Sequence, residues 1–322
     1  MDETVATVGG LGRLKEWLKL REPAFTQEAR QYGLPEPKGL ALIGIPGTGK
    51  SLSAKMIASL WQLPLIRMDM GAVFGGLVGQ SEENIRRALT LAETISPCVL
   101  WIDEMEKALA TGAGDSGTSL RVFGTLLTWM QDKKKPVFHV ATANDVGRLP
   151  PELLRRGRFD EIFFLDLPNA EERKEIFAVH LRKRGRRASA YDLTRLAVAA
   201  EGYDGAEIEQ AIIDAMYVAF NDSGKTRRDF TTDDILATLR RQVPMSQSQR
   251  EVIAALRQWL QDGRAMSASY PDEVGAPRRT LAIQLDDESS AGAPSEGKSE
   301  TQTAVRRPAP RLMDFEFDEP KK

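Results

Sequence analysis

The sequence has few of the residues that build disulfides or histidine metal sites. Its 322 residues include one cysteine, Cys98, and two histidines, His139 and His180. A single cysteine excludes an intrachain disulfide and a thiolate-rich metal site, and two histidines are too few for a usual histidine metal cluster. This cysteine usage is typical of a reducing, cytosol-like compartment.

The chain also lacks a strong excess of charge and a long apolar run. Its 44 Lys and Arg against 46 Asp and Glu give a formal net charge of −2, so overall charge predicts neither nucleic-acid nor membrane binding. The N-terminus, MDETVATVGG, has neither the basic region nor the apolar core of a signal peptide. No run approaches the roughly 20 apolar residues that span a bilayer. We therefore expect a soluble, cytoplasmic protein with no membrane insertion.

Short apolar runs alternate with helical patterns between Gly39 and Pro168. The runs are GLALIGI (39–45), LPLIRMDM (63–70), PCVLWIDEM (97–105), PVFHVATAN (136–144) and EIFFLDLP (161–168). Amphipathic segments such as 51–61 and 81–95 lie between them. Continuous apolar strands separated by helices predict an α/β fold, a parallel sheet covered by helices on both faces.

The pattern changes after Pro168, and we predict four parts. Residues 1–168 form the α/β domain, and residues 169–243, which contain only helical patterns, form a small all-helical domain. A further amphipathic helix is predicted over 244–265. Residues 266–322 are predicted to be a disordered tail, because the stretch 286–303 has no large apolar residue.

The stretch GIPGTGKS, from Gly44 to Ser51, matches G-x-x-x-x-G-K-[ST] between a predicted strand and a predicted helix. In this context the backbone N–H groups and the helix N-terminus cradle phosphates. Lys50 is expected to reach the β- and γ-phosphates of ATP, and Ser51 to bind Mg²⁺. The other interpretation, a glycine-rich turn that fits by chance, does not explain the full context. The predicted nucleotide contacts are Pro46, Gly47, Thr48, Gly49, Lys50, Ser51 and Leu52.

The stretch VLWIDE (99–104) is a buried strand that ends in two acids. Asp103 is expected to bind Mg²⁺, directly or through water, and Glu104 to act as the general base on the attacking water. Acids at a strand end can also serve solubility alone. The position of this strand after the phosphate loop favours the catalytic interpretation.

From these motifs onward the chain resembles the AAA ATPases over roughly residues 8–243. HVATAN places Asn144 at a strand end, like the family's sensor-1 residue that orients the lytic water. LPPELLRRGRFD (149–160) is similar to the arginine-finger segment. The resemblance implies that Arg155 and Arg158 reach the γ-phosphate bound by a neighbouring subunit, in a homohexamer.

The same resemblance supplies contacts for the adenosine. His180, in IFAVHL, matches a family histidine near the adenine and ribose. Gly205 and Ala206, in YDGAEIEQ, match the lid motif that packs near the adenosine. Val8 and Gly9, in TVGGL, match the adenine-contacting D-V-G-G-L of the family, with Thr7 in place of the acid.

The wording of three motifs is closer still to one group of AAA proteins. GIPGTGKSLSAKMIAS, LVGQSEENIRRAL and VLWIDEMEKAL resemble the proteins of cyanobacteria and plastids named for hypothetical chloroplast reading frame forty-six. This resemblance suggests a role in regulating photosynthesis and inorganic-carbon uptake. If the chain is plastid-encoded, the expected compartment is the stroma. Such proteins usually carry a region before the ATPase domain, so the chain is a short natural form or a truncated one.

The stretch VFGGLVGQSEENIRR (73–87) aligns with the family's first pore-facing loop. Leu77 and Val78 stand where the family has an aromatic and an aliphatic residue, and Phe74 precedes them. Leu77 and Val78 can make apolar contacts with a client, but they have no aromatic ring to stack on it. We therefore predict Mg²⁺-dependent ATP hydrolysis coupled to remodelling of an unidentified protein client. The alternatives are an ATP-dependent switch that docks a regulatory partner without threading it, and a nucleic-acid-remodelling ATPase. Nucleic acid is the less expected partner, because the basic run LRKRGRR (181–187) has no interleaved aromatic residues.

Overall fold

The computed structural model describes residues 7–74, 80–109, 116–155, 157–222, 228–270 and 312–314. Its helices, in chain order, are α1 Gly12–Arg21, α2 Gln27–Tyr32, α3 Lys50–Leu60, α4 Met70–Phe74, α5 Gln80–Ile95, α6 Ser116–Asp132, α7 Ala170–Lys183, α8 Leu193–Ala199, α9 Gly205–Asn221, α10 Thr232–Leu239, α11 Met245–Ser248 and α12 Arg250–Gln261. Its strands are β1 Gly39–Gly44, β2 Leu65–Asp69, β3 Cys98–Asp103, β4 Val137–Ala143, β5 Glu161–Leu165, β6 Met266–Ser267 and β7 Leu312–Asp314.

The strands form one sheet in which every pairing is parallel. Their order is β6-β5-β1-β4-β3-β2-β7, so that β1 pairs with β5 on one side and with β4 on the other. Because all strands run the same way, their carboxyl ends meet along one edge of the sheet. That edge carries the residues that follow β1, β3 and β4, which include the phosphate loop, Glu104 and Asn144.

Both faces of the sheet are buried, as the continuous apolar runs predict. Alternate residues of β1 point to opposite sides: Leu40 and Leu42 pack into a core shared with α1 and α3. Ala41 and Ile43 pack into a second core, which α5, α6 and α12 cover. The predicted α/β fold with helices on both faces is therefore confirmed.

Residues 170–239 form a separate helical unit with its own core. Phe177, Leu196, Ile212 and Ile235, from α7, α8, α9 and α10, belong to one buried apolar cluster. Three of these helices begin with a capping box, in which an N-cap side chain and the residue three positions later bond to each other's backbone N–H groups. The pairs are Asn169 with Glu172, Asp204 with Glu207, and Thr231 with Asp234.

After this helical unit the chain returns to the sheet. Helix α12 buries Ile253, Leu256 and Trp259 against the second core. Strand β6 then pairs with β5, and Ala268 is fully buried beside it. Both β6 and β7 lie within the segment predicted to be disordered. Strand β6 forms by backbone hydrogen bonding to β5, and β7 by backbone hydrogen bonding to β2. Such pairing with the edge of a sheet needs little apolar pattern in the added segment.

None of the helices in the described residues has both the length and the hydropathy of a membrane span.

Candidate active site

The phosphate loop curls between the end of β1 at Gly44 and the start of α3 at Lys50. Gly47 and Gly49 have φ angles of 75° and 94°, a left-handed conformation that glycine adopts without the steric cost of a side chain. The Thr48 hydroxyl donates to the Ile45 carbonyl at 2.7 Å and closes the turn. The loop therefore turns the N-terminus of α3, with its unpaired N–H groups, toward a cleft.

Lys50 brings a buried positive charge to this loop. Its ammonium group donates to the carbonyls of Gly44 and Ile45 at 2.9 and 2.6 Å, and the residue is 7% exposed. Burial lowers the pKa of Lys50 to about 8, although Glu106, Asp103 and Asp204 oppose the shift. Among the described residues the acceptors in direct contact with this ammonium are neutral carbonyls, which makes its burial costly, so this site fits a bound polyanion.

One cavity of about 320 Å³ lies beside the loop, within the size range of small-molecule sites. It is lined by residues of the loop, of the segment before α1, of α7 and of the start of α9. All twelve residues predicted to contact the nucleotide line it: Val8, Gly9, Pro46, Gly47, Thr48, Gly49, Lys50, Ser51, Leu52, His180, Gly205 and Ala206. Asn144 lines it as well.

The segment before α1 is held against α7 by close packing and hydrogen bonds. A Cβ at Gly9 would lie 2.8 Å from the Ile176 side chain, so only glycine permits this approach. The Leu11 N–H donates to Oε1 of Glu172 at 2.8 Å, and the Gly10 N–H donates to Glu175 at 2.9 Å. These contacts fix the backbone of Val8 and Gly9 at one wall of the cavity.

His180 lies on α7, lines the cavity and is 8% exposed. Its Nδ1 is 3.2 Å from Oε1 of Glu209, but it has no well-aligned hydrogen bond. Burial lowers the pKa of His180, and the Glu209 carboxylate only partly offsets this effect. At neutral pH the ring is therefore uncharged, which suits an apolar contact with a base or sugar better than a contact with phosphate.

The helical unit touches the phosphate loop at the start of α9. A Cβ at Gly205 would lie 3.3 Å from the Gly47 carbonyl oxygen, and a Cβ at Gly47 would lie 2.3 Å from the Asp204 carboxylate. Asp204 is 1% exposed, and burial raises its pKa. The loop and α9 are therefore packed as closely as glycine allows.

Asp103 ends β3 with both carboxylate oxygens engaged. Oδ1 accepts from the Thr142 hydroxyl at 2.7 Å, and Oδ2 accepts from Arg67 at 2.9 Å. This arrangement fixes the carboxylate and fits the indirect alternative for Mg²⁺, contact through water. Sequence reasoning missed Arg67; its signal is an arginine in a strand that pairs with β3.

Glu104 follows with a positive φ of 52°, which is uncommon for a residue with a side chain and often marks a functional site. Its N–H donates to the Thr142 hydroxyl at 3.2 Å. Its carboxylate pairs with Lys107 at 2.6 Å and stays about one-third exposed.

Asn144 follows β4 and is held by Glu106. One oxygen, Oε1, accepts from the backbone N–H of Asn144 at 3.1 Å and from its side-chain amide at 3.0 Å. Glu106 is 7% exposed, and its other oxygen is buried with no partner in the described part of the chain. Sequence reasoning missed this residue, whose signal is a third acid closely following the pair at the end of β3.

Residues 40–167 match the family described as ATPase family associated with various cellular activities (AAA). The chain is 52% identical over 265 residues to ycf46, an AAA domain-containing protein of Pyropia yezoensis. The chain belongs to the AAA ATPases. The stretch matched to ycf46 covers 81% of this chain and 53% of the relative.

Two further relatives extend this range of AAA proteins. The ycf46 protein of Trieres chinensis is 52% identical over 84% of this chain and 54% of its own length. A cell division cycle protein 48 homolog of Archaeoglobus fulgidus is 32% identical over 69% of this chain and 32% of its own length. The chain spans about half the length of the ycf46 relatives it matches.

The two arginines that the AAA resemblance singles out lie away from the cavity. Arg155 is exposed, and Arg158 is half-buried just before β5. Nη1 of Arg158 is buried without a partner among the described residues. Because β5 pairs in parallel with β1, Arg158 lies at the amino-terminal edge of the sheet, opposite the phosphate loop of the same chain.

The predicted client-facing loop of this AAA chain lies largely outside the residues that the structure describes. Leu77 and Val78 lie outside the described residues. Phe74 ends helix α4, whose bounds are Met70–Phe74. The basic run 181–187 is partly neutralised, since Arg184 pairs with Glu209 and Arg186 pairs with Asp229.

Proposed function

We propose that this AAA chain hydrolyses ATP with Mg²⁺ in a homohexameric ring, and that the ring remodels a protein client. In each active site one subunit supplies the phosphate loop and its neighbour supplies Arg155 and Arg158. The observation that carries this proposal is the position of Arg158 at the edge of the sheet opposite the phosphate loop.

Strand geometry makes the separation large. Arg158 bonds through its carbonyl to His139, on β4, at 2.8 Å, whereas Asn144 lies just beyond the end of the same strand. His139 precedes Asn144 by five residues, or about 16 Å at ~3.3 Å per residue. Arg158 therefore cannot serve the site that contains Asn144 of its own chain while this contact is kept. A second copy is needed to bring the arginine to a nucleotide.

The roles within one subunit follow from the geometry of the cavity. Lys50 and the N-terminus of α3 hold phosphate oxygens, and Ser51 and Asp103 are the groups that would hold Mg²⁺. When bound, the ion neutralises phosphate charge and helps to orient the leaving group. Glu104 accepts a proton from the attacking water, and Asn144 orients that water.

Asn144 has a defined orientation for this role. Since its amide N–H is donated to Glu106, its Oδ1 is left to accept a hydrogen bond from water. A water held by Asn144 and deprotonated by Glu104 is then directed along one line of attack. Such positioning is a large part of the catalysis of phosphoryl transfer.

The experiment that tests the shared site mixes two inactive chains. Lys50→Ala removes a phosphate contact but keeps the arginines, and Arg158→Ala keeps the phosphate site but loses the arginine. Each variant alone should lose on the order of 10²-fold or more in ATPase rate. Mixed in equal amounts, they should recover activity, because some sites combine an intact loop with an intact arginine.

The control for this mixture is Arg30→Ala, an exposed arginine on α2 that pairs only with Glu36 among the described residues. It should keep full activity alone. If the Lys50→Ala and Arg158→Ala chains stay inactive when mixed, although both assemble, Arg158 does not act between subunits and the proposal fails.

The nature of the client needs a separate readout. Unfolded protein should stimulate the ATPase rate, and substitution of Leu77 and Val78 by Ser should remove that stimulation while basal hydrolysis remains. Stimulation by DNA or RNA would instead favour nucleic-acid remodelling. No stimulation by either would favour the docking switch. A Glu104→Gln chain, which should bind ATP without hydrolysing it, can trap the client for identification by mass spectrometry.

We also propose a pathway and a compartment, supported by the resemblance to the ycf46 proteins. The proposed setting is regulation of photosynthesis or inorganic-carbon uptake, in the cytoplasm or the plastid stroma. Loss of the gene in a photosynthetic host should then alter growth at low inorganic carbon, and unchanged growth would remove this assignment.

A further inference from the structure

His139 is a fully buried histidine that the hydrolysis chemistry does not use. It is the third residue of β4 and is 0% exposed. Its ring packs between the Trp129 ring, at a centroid distance of 6.1 Å, and the Phe159 ring, at 5.3 Å. An imidazole buried between two aromatic rings has lost its contacts with water, so its polar contacts need an explanation.

This ring has a hydrogen bond to the arginine segment. Nε2 lies 2.8 Å from the carbonyl oxygen of Arg158. A carbonyl can only accept, so Nε2 carries the proton and donates it, which leaves Nδ1 unprotonated. Nδ1 is buried with no partner within the described ranges. Burial and the nearby Lys133 hold the pKa of His139 well below its ordinary value, so the ring is neutral.

Other contacts hold the same turn to the start of β1. The Lys38 side chain donates to the Gly157 carbonyl at 3.3 Å. The Asp160 carboxylate accepts from the N–H groups of Lys38 and Gly39 at 2.6 and 3.0 Å. The carbonyl before Arg158, that of Gly157, is thus held by Lys38, and the carbonyl of Arg158 itself is held by His139. The Arg158 side chain therefore projects from an anchored backbone.

The sequence makes room for the histidine on the neighbouring strand. Gly39 pairs with His139 in the register of β1 and β4. A Cβ at this glycine would meet the backbone carbonyl oxygen of His139 first, and would lie 2.5 Å from its imidazole ring. The glycine and the histidine therefore fit as a pair, and the ring reaches the turn across the glycine.

We propose that His139 is a positioning residue for the arginine finger: it fixes the backbone at Arg158 and Phe159, so that the guanidinium reaches the nucleotide of the neighbouring subunit. This inference rests on the proposed function, since it assigns no role to His139 if Arg158 does not act between subunits. A displacement of about 1 Å in a positioned group can cost on the order of 10²-fold in rate.

Two substitutions separate the hydrogen bond from simple packing. His139→Gln places an amide N–H donor at similar reach, whereas His139→Leu fills the space without a donor. We expect the Leu variant to lose about tenfold or more in kcat with little change in KM for ATP, because its own phosphate site is intact. The Gln variant should recover most of that loss. Phe138→Leu, a buried change at the neighbouring position on the other face of the sheet, controls for general loosening of β4.

The mixing experiment then locates the defect. A His139→Leu chain mixed with Lys50→Ala should recover activity, because the Lys50→Ala chain lends a correctly held arginine to the intact site. Mixed with Arg158→Ala, it should not recover, because neither chain presents a working arginine. Nucleotide binding by the Leu variant, followed with a fluorescent ATP analogue, should match that of the unsubstituted chain and shows that the variant is folded.

The outcomes distinguish failure of the shared active site from failure of the role of His139. If Lys50→Ala and Arg158→Ala fail to complement each other, the shared site itself is wrong. If they complement but the His139→Leu chain does not recover with Lys50→Ala, the defect lies elsewhere and His139 does not position the arginine. Equal activity of the Leu, Gln and unsubstituted chains would also overturn the inference.

Discussion

Asn144 donates two hydrogen bonds to a single oxygen of Glu106, one from its backbone and one from its side chain, at 3.1 and 3.0 Å. The strand end and the amide are thereby locked together, and the amide oxygen of Asn144 is left for a ligand. Both hydrogen bonds are shielded from water, since Glu106 is 7% exposed. Glu106 therefore acts on the proposed reaction through Asn144.

The first prediction compares two substitutions of Glu106. Glu106→Leu removes the acceptor and should lower the ATPase rate on the order of 10- to 100-fold with ATP binding kept. Glu106→Gln keeps an oxygen that can accept both bonds and should retain most of the rate. Steady-state kinetics with a nucleotide-binding assay measure the two effects. An equal loss in both variants would show that the charge of Glu106, and not its acceptor oxygen, matters.

The second prediction concerns the close approach of Gly47 and Asp204. Gly47→Ala introduces a Cβ that would lie 2.3 Å from the Asp204 carboxylate, so loop or helix must move and the affinity for ATP should fall by about tenfold or more. Gly185→Ala is the matched control, because its φ of 72° is similar and no atom lies within 4 Å of the added Cβ.

Both glycine variants should lose about 1 kcal/mol of stability from the strained backbone. Only Gly47→Ala should lose nucleotide binding, measured by fluorescence titration. Equal ATP affinity in the two variants would mean that the contact between the loop and α9 does not shape the site.

The motifs predict much of this geometry because parallel strands end at one edge of the sheet. Once Gly44, Asp103 and Asn144 are assigned to the ends of apolar runs, their convergence follows from the fold. The confirmed α/β fold rests on the same runs. Contacts that depend on the path of loops could not be predicted in this way.

Glu106 and His139 illustrate that limit. In the sequence, Glu106 is one acid among several after β3, and only the turn at 105–109 buries it against Asn144. His139 lies inside an apolar run, and its partner Arg158 is 19 residues away. Strand β6 carries no apolar alternation that would predict it. Its backbone pairing with β5 and the burial of Ala268 hold it in place.

The third prediction uses the buried ammonium of Lys50. Burial lowers its pKa from the ordinary 10.5 to about 8 in the folded chain. Between these values the unfolded chain binds more protons than the folded chain, so the contribution of Lys50 makes stability rise with pH. We therefore compare the free energy of unfolding of the unsubstituted chain with that of Lys50→Met. From pH 8 to 10 the unsubstituted chain should gain stability relative to the variant, by up to about 3 kcal/mol.

This comparison cancels Lys133, whose pKa burial also lowers to about 8, since both chains contain it. Bound ATP supplies phosphate charge that favours the protonated lysine, so saturating nucleotide should flatten the divergence. Denaturant unfolding at several pH values measures the difference. Parallel curves without nucleotide would show that Lys50 is not desolvated in the free chain.

The fourth prediction tests how the segment after α12 ties the molecule together. Ala268 is fully buried; its N–H donates to the Phe164 carbonyl at 2.9 Å, and its carbonyl accepts from the Leu14 N–H at 3.1 Å. One residue thus joins β5 to α1, the helix that follows the Val8 and Gly9 wall of the cavity. Ala268→Asp buries an unpaired carboxylate there and should cost about 3 kcal/mol of stability.

Met266→Asp is the control for Ala268→Asp, because Met266 is an exposed residue of β6, two positions before Ala268, and an added acid there should change stability by less than about 0.5 kcal/mol. Thermal unfolding compares the two variants. The affinity for ATP should also fall in Ala268→Asp, since loosening of α1 releases the backbone that packs on α7 at Gly9. A drop in stability without any change in ATP affinity would mean that the contacts of Gly9, Gly10 and Leu11 with α7 hold that wall without help from α1.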